Sequence, residues 1–228
     1  MQAIIMAAGL GTRLRPHTLT TPKPMLPVLG RPILERTFAI LPPQVDEVIV
    51  VVGYLKEKII EHFGAAWGRR RVVYVEQKEL LGTGHAVHAC KHLLHDRFIV
   101  LNGDDLYAAE DVATIASHDL AVLAHETKVT GRYGAFRTDA NGAMTGIIEG
   151  AEVEPGGLVN AGLYALDQRF FDYPLVAIKD GAEFGLPQTI VSVAADHQIA
   201  VVRATFWMPI GYPEDLEKAT RVLESQAA

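Results

Sequence analysis

Short, almost wholly apolar runs alternate along the chain with segments whose apolar positions recur every three or four residues. Gln2 to Ala7 and Glu47 to Val52 are apolar runs too short for ordinary helices, and they read as buried strands. Arg71 to Glu76 and Arg97 to Leu101 read as a third and a fourth strand. Between them, Arg31 to Leu41, Leu55 to Phe63 and Gly84 to Leu94 carry helical periodicity, with Pro32 placed in the first turn of its helix. This β-α-β-α-β-α-β order predicts an α/β fold, a parallel sheet with helices on both faces. The second half changes character. Leu120 to Glu126, Tyr133 to Thr138, Ala143 to Glu149 and Leu158 to Leu166 read as strands joined by Gly-rich turns. A helix at Leu186 to Ala195, a strand at Ile199 to Ala204 and a helix from Pro213 to Glu224 follow. The same sheet is expected to continue through both halves, as one domain over 1–228. In such sheets ligands sit beyond the carboxyl ends of the strands. That rule points to Ala8–Arg15, Gln77–Thr83 and Asn102–Asp105.

Composition narrows the class. An apolar fraction of 49% and a charged fraction of 21% exclude a disordered chain, a collagen and a coiled coil. No apolar run approaches the ~20 residues of a membrane span. Met1 to Gly9 is apolar but lacks a basic start, unlike a signal peptide. The single Cys90 excludes an intramolecular disulfide framework. A cytoplasmic protein is therefore expected. The net charge of −6 argues against a protein that coats nucleic acid, while leaving local phosphate binding open.

The loop Ala7-Ala8-Gly9-Leu10-Gly11-Thr12-Arg13-Leu14-Arg15-Pro16 follows the first strand. Its two glycines let backbone N–H groups turn toward a phosphate, and Arg13, Arg15 and Lys23 add positive charge. A dinucleotide fingerprint needs a third glycine leading into a helix, but here Pro16, Pro22, Pro24 and Pro27 follow. A P-loop needs Gly-Lys-Ser/Thr, which is absent. The loop, with Thr18 and Pro22-Lys23-Pro24-Met25-Leu26-Pro27-Val28, resembles the signature of the sugar-1-phosphate nucleotidyltransferases.

That resemblance implies a Rossmann-like, mixed but mainly parallel sheet of the nucleotide-diphospho-sugar transferase type. It implies a nucleotide-binding part over about 1–105 and a sugar-binding part over about 106–228. Ala7, Ala8, Gly9, Gly11, Thr12 and Arg13 would hold the triphosphate, and Lys23 would reach the reacting phosphate. Arg13, Lys23 and Asp104 would be the catalytic residues, since fixed cations and backbone donors stabilise charge developing on phosphate oxygens. The implied partners are a nucleoside triphosphate and a sugar 1-phosphate, without nucleic acid or membrane; the oligomeric state is left open.

Gln77-Lys78-Glu79-Leu80-Leu81-Gly82-Thr83-Gly84-His85-Ala86 follows the third strand. An amide such as Gln77 offers a donor and an acceptor to a pyrimidine edge, Gly82 permits close backbone approach, and Thr83 suits a helix start. This segment resembles the uridylyltransferase branch, which makes UDP-N-acetylhexosamines, and favours UTP over dTTP or CTP. His85, His88, His92 and His95 would share one face of a continuous helix, read here as a polar stripe with metal binding as the lesser alternative.

Asn102-Gly103-Asp104-Asp105 closes the fourth strand. Read alone it is a hairpin turn. The resemblance instead makes Asp104 the ligand of Mg²⁺, with Asp105 either supporting it or solvated. Near the C-terminus the family reads Trp-x-Asp-x-Gly-x-Pro-x-Asp-Leu, its first Asp completing the metal site. Here Pro209 stands in that place within Trp207-Met208-Pro209-Ile210-Gly211, and Asp215 is expected to be carried away by its helix. A catalytically weak nucleotide-binding or regulatory protein is thus the alternative. For the sugar, the resemblance assigns Gly134 (in Tyr133-Gly134), Glu149 (in Ile147-Ile148-Glu149) and Asn160 (in Val159-Asn160-Ala161-Gly162). Gly150 replaces the lysine that often follows the glutamate and binds the sugar phosphate. Arg69-Arg70-Arg71 reads as a solvated turn, and Trp67 and Trp207 as packing residues. No hexapeptide-repeat acyltransferase segment follows, so a single activity is expected.

Overall fold

The computed structural model describes residues 1–227. The elements run β1 (Gln2–Ala7), β2 (Pro27–Val28), β3 (Arg31–Pro32), α1 (Ile33–Ile40), β4 (Glu47–Val52), α2 (Lys56–Phe63), β5 (Ala66–Trp67), β6 (Arg70–Glu76), α3 (Gly82–Ala89) and β7 (Phe98–Asn102). Then come β8 (Asp105–Tyr107), α4 (Ala109–Ser117), β9 (Ala121–Glu126), β10 (Gly131–Thr138), β11 (Met144–Val153) and β12 (Leu158–Leu166). The chain ends with β13 (Val176–Ile178), β14 (Glu183–Gly185), α5 (Leu186–Ala194), β15 (Ala200–Arg203), β16 (Trp207–Pro209) and α6 (Pro213–Ala227).

A ten-stranded mixed sheet runs in the order β11-β10-β12-β7-β1-β4-β6-β5. Its centre is parallel, with β1 between β4 and β7 and β4 beside β6. β12 enters antiparallel to β7 and carries β9 along its other edge, with β15 parallel to β9. The two halves of the chain therefore share one sheet.

Side chains on successive strand residues alternate faces, which sorts the apolar runs into two layers. Ala3, Ile5, Ala7, Val48, Val50 and Val52 face α1, α2 and α4, meeting Leu34, Phe38, Ile59, Phe63, Val112 and Ile115. Ile4, Ile49, Val51, Phe98 and Val100 face α3 and α5, meeting Val87, Ile190 and Val193. A third cluster joins Leu14 of the glycine loop to Leu26, Ile33, Leu106, Met208, Ile210 and Ala219 of α6. It ties the start of the chain to its end.

Several expectations are corrected. α3 stops at Ala89 and a separate 3-10 turn covers Lys91–Leu93, so the four histidines do not share a helix face. Gly82 rather than Thr83 begins α3. α1 begins at Ile33, after Pro32 has paired with Pro27 in a small hairpin. Asn102-Gly103 is not a hairpin turn, because β8 turns from β7 to pair with β16. The arginine run is not merely solvated. Arg70 donates to the carbonyls of Leu41 and Val45, Arg69 to that of Pro43, and Arg71 pairs with Glu47 at 2.9 Å. α4 has no counterpart in the sequence reading. Its acidic first turn masks a stripe of Val112, Ile115 and Ala116 that packs on the sheet.

Cys90 is wholly buried where α3 ends, its Sγ 3.5 Å from the Ala86 carbonyl, and burial pushes the thiol up to about 12. The thiolate is the reactive form. At pH 8 the native protein should leave a thiol reagent such as Ellman's reagent uncoloured, and one thiol should appear when denaturant is added.

Candidate active site

Three strand ends deliver the site, as the parallel centre of the sheet requires. Beyond β1, Gly11 takes a left-handed φ of 61° and starts the 3-10 turn Thr12–Leu14, while its carbonyl accepts from Thr18 Oγ1 at 2.8 Å. A Cβ at Gly11 would lie 3.0 Å from both Lys23 Cβ and Thr18 Cγ2. Glycine therefore lets Lys23 stand directly against the loop. Leu14, 1% exposed, anchors the loop in the third cluster. A pocket of about 180 Å³ forms between Ala7, Gly9, Gly11, Thr12, Arg13, Lys23, Asp104 and Gly211. Arg13 lies over the ring of Tyr212, 5.4 Å from its centroid.

Beyond β7, Asp104 Oδ2 pairs with Lys23 Nζ at 2.6 Å. Asp105 points the other way and is buried, which removes the solvated alternative. Its Oδ2 accepts from Asn102 Nδ2 at 3.1 Å, Trp207 Nε1 at 3.2 Å and Tyr107 OH at 3.4 Å. Burial, reinforced by the charge of Asp104, raises Asp105 to about 7, against the opposing pull of Lys23, Asn102 and Trp207. Trp207 is thus a hydrogen-bond donor to the site as well as a packing residue. Pro209 lies opposite Asp105 across the β8–β16 ladder. Asp215 is occupied in accepting the Gly211 and Tyr212 N–H groups, each at 2.8 Å.

Among the described residues no cluster of three or more His, Cys, Asp or Glu side chains is placed to hold a metal ion. Mg²⁺ is suited to a looser arrangement, one or two carboxylates with phosphate oxygens and water. Asp104, partly exposed at the phosphate pocket, fits that donor set.

Beyond β6, Gln77 is 6% exposed, and its Nε2 lies 3.0 Å from the Gly82 carbonyl and 3.2 Å from His85 Nδ1. The amide donor is therefore engaged within the loop. Gly82, at φ 89°, lies under the β13–β14 hairpin, where a Cβ would stand 2.5 Å from the Phe184 carbonyl. Thr83 Oγ1 accepts from Leu186 N at 3.1 Å, so it ties this loop to α5 instead of capping α3.

A cleft of about 720 Å³ joins this loop to the second half of the chain. Gly9, Arg13, Gln77, Gly82, Thr83 and Asp104 line it together with Glu149, Asn160, Tyr164, Lys179 and Gln188. Asn160 Oδ1 accepts from Gly162 N at 3.0 Å and Tyr164 OH at 2.9 Å, which leaves its amide N–H groups for a ligand. Gly134 backs Glu149, since a Cβ there would lie 3.1 Å from both carboxylate oxygens. Lys179 and Gln188 are absent from the sequence reading. Lys179 sits in the turn of the β13–β14 hairpin at φ 50°, paired with Glu183 at 2.7 Å. Neither residue lies in a recognisable motif; only the folding of the hairpin over α3 brings them to the cleft.

The sequence model of the Nucleotidyl transferase family matches residues 2–226. The chain belongs to this family. It is 32% identical over 225 residues to the bifunctional protein GlmU of Methanocaldococcus jannaschii, covering 98% of this chain and 54% of that protein. It is also 32% identical to the UTP–glucose-1-phosphate uridylyltransferase AglF of Haloferax volcanii, covering 99% of this chain and 98% of AglF. The chain thus spans about half the length of the GlmU relatives and nearly all of AglF. Among solved structures, a UDP-glucose pyrophosphorylase complexed with UDP-glucose superposes with a TM-score of 0.81 at 20% identity, which shows the shared fold; 99% of this chain and 98% of that one are covered. HddC of Yersinia pseudotuberculosis complexed with GMP-PN gives 0.72 at 27% identity, covering 97% of this chain and 99% of HddC.

Within this site the backbone of Gly162 passes close against a neighbouring side chain. Gly162 has φ 71°, and a Cβ would stand 2.1 Å from Asn102 Nδ2, the group that donates to Asp105. Gly142, at φ 80°, has nothing within 4 Å of its would-be Cβ. Gly142→Ala should cost about 1 kcal/mol, the left-handed backbone penalty alone. Gly162→Ala should cost upward of about 2 kcal/mol. Denaturant melts of the two variants check the difference.

Proposed function

We propose that this chain transfers a nucleoside monophosphate, UMP from UTP, to a sugar 1-phosphate, releasing pyrophosphate. The carrying observation is one cleft lined jointly by the glycine loop, Gln77, Asp104, Glu149 and Asn160. It brings cations, carboxylates and amides together around one space. The 1–105 part would take the nucleotide and the rest of the chain the sugar. A cytoplasmic setting agrees with nucleotide chemistry, and no helix among the described residues is long and apolar enough to cross a membrane.

A phosphate oxygen of the sugar 1-phosphate attacks the α-phosphorus of the nucleotide in line. The bond from that phosphorus to the bridging oxygen of the β-phosphate breaks, and its electron pair leaves with pyrophosphate. No residue needs to form a covalent intermediate. The two reactants are both anions, so the protein's work is to hold them together and neutralise charge. Lys23, held between Gly11 and Asp104, is a fixed cation lining the pocket at the glycine loop. Arg13 extends the positive field along the loop. Gly9, Gly11 and Thr12 would present backbone donors, with Ala7 and Ala8 lining the floor. Gln77 Oε1, with the backbone of Gly82 and Thr83, would meet the base. Asp104 would hold Mg²⁺, which when bound neutralises phosphate charge and aligns the phosphate oxygens. On the sugar side Glu149 and Asn160 would face the ring, Gly134 makes room for the Glu149 carboxylate, and Lys179 would replace the positive charge missing at Gly150. Pro209 favours one further reading, a chain that binds nucleotides or nucleotide-sugars without turning them over.

Pyrophosphate release is to be measured with Mg²⁺ and each of UTP, dTTP, CTP, GTP and ATP, paired with N-acetylglucosamine 1-phosphate or glucose 1-phosphate. Turnover confined to UTP is expected. Turnover with another base overturns the assignment at Gln77, and UTP binding without pyrophosphate release establishes the regulatory reading. Lys23→Ala should lower kcat by ~100-fold while changing nucleotide affinity much less. A wild-type rate in that variant removes Lys23 from the chemistry. Lys179→Met should raise KM for the sugar 1-phosphate about tenfold, as expected for loss of one charge-assisted contact, and leave KM for UTP unchanged.

A further inference from the structure

Glu149 stands where the fold by itself gives a side chain little direction. It lies on β11, the edge strand of the sheet, and it is exposed. The β10–β11 ladder slips between the pairs Tyr133–Ala151 and Ala135–Ile148, so Glu149 and Gly150 bulge opposite Gly134. Gly150 takes φ 64° there. A bulge leaves residues outside the regular pairing and re-aims them. One hydrogen bond to the carboxylate is found among the described residues: Gln188 Nε2 donates to Glu149 Oε1 at 3.0 Å.

Gln188, in contrast, is held firmly. It lies in the first turn of α5, between Leu186 and Ile190, both wholly buried. That turn is fastened by Leu186 N to Thr83 Oγ1, Thr189 Oγ1 to the Gly185 carbonyl, and Val176 N to Thr189 Oγ1. The amide packs against Gly185, where a Cβ would stand 1.8 Å from Gln188 Oε1. That oxygen is buried with no hydrogen-bond partner among the described residues. A buried unpartnered acceptor is a standing cost to the fold, and an isosteric apolar side chain would avoid it. The half of the amide that is satisfied serves Glu149.

We infer that Gln188 is a positioning residue for the acceptor sugar, fixing Glu149 through Oε1 so that Oε2 faces the sugar hydroxyls. The inference rests on the transfer reaction proposed above. A neutral amide orients the carboxylate without cancelling its charge, so Glu149 remains a full anionic acceptor toward hydroxyl donors. Gly185 and Gly134 are the complementary conditions, one making room for the amide and the other for the carboxylate.

The test is Gln188→Met, which keeps the length of the side chain and deletes both the donor and the unpartnered oxygen. With UTP and N-acetylglucosamine 1-phosphate or glucose 1-phosphate, KM for the sugar 1-phosphate should rise five- to tenfold and KM for UTP should stay within twofold. Tm should stay level or rise. In a Glu149→Gln background the same substitution should add nothing further to KM for the sugar 1-phosphate. An unchanged KM for both substrates overturns the inference. So does a joint rise of both KM values with a fall in Tm, which marks a structural role only. Wild-type protein that turns over neither sugar 1-phosphate overturns the reaction itself, and this inference with it.

Discussion

Burial of the Asp105 carboxylate is the constraint around which the site is arranged. A carboxylate taken out of water needs donors from the protein. Asp105 obtains them from three places: Asn102 at the end of β7, Tyr107 on β8 and Trp207 on β16. Satisfying it therefore requires β16 to lie against β8, which brings the C-terminal segment back to the centre of the sheet. The same requirement turns Asp104, its neighbour, outward toward Lys23 and the phosphate pocket. One buried acid and one outward acid at successive positions separate a structural role from a ligand-facing one.

Close backbone approaches carry that arrangement outward. Gly162 lets β12 pass against Asn102, and Gly103 lets the turn after β7 pack on Ile5 and the Met6 carbonyl. Gly82 lets α3 begin beneath Phe184, and Phe184 N donates back to the Leu81 carbonyl at 2.7 Å. The Gln77–Thr83 loop and the hairpin that carries Lys179 are thus one packed unit. Ligands bound as proposed would both bear on this contact, and holding two reactants together lowers the entropic part of a barrier.

By the resemblance, Pro209 stands where the family has a carboxylate and Gly150 where it often has a lysine. The groups that remain are fixed by hydrogen bonds and packing. Asp215 holds the Gly211–Tyr212 backbone at the phosphate pocket, Tyr212 carries Arg13, and Gln188 holds Glu149. The first is local to the start of α6, while the other two join elements distant in sequence.

The sequence by itself determined the parallel centre of the fold and the glycine loop. Its apolar runs of Ile and Val have one stable disposition, between two helical layers. Gly11, Lys23 and Asp104 stand out because their segments resemble a known family signature; Asn102–Asp105 read alone is only a turn. Helix boundaries were less legible. α3 ends at Ala89 and gives way to a 3-10 turn beyond Cys90, and α4 hides its buried stripe behind Glu110 and Asp111. Only the tertiary structure decided that Asp105 is buried, that Gln77 spends its donor on Gly82 and His85, and that Lys179 and Gln188 reach the cleft. The physical reason is the same in each case. A polar side chain's role depends on which donors, acceptors and solvent surround it, and here those neighbours come from strands and hairpins separated by up to about a hundred residues of chain.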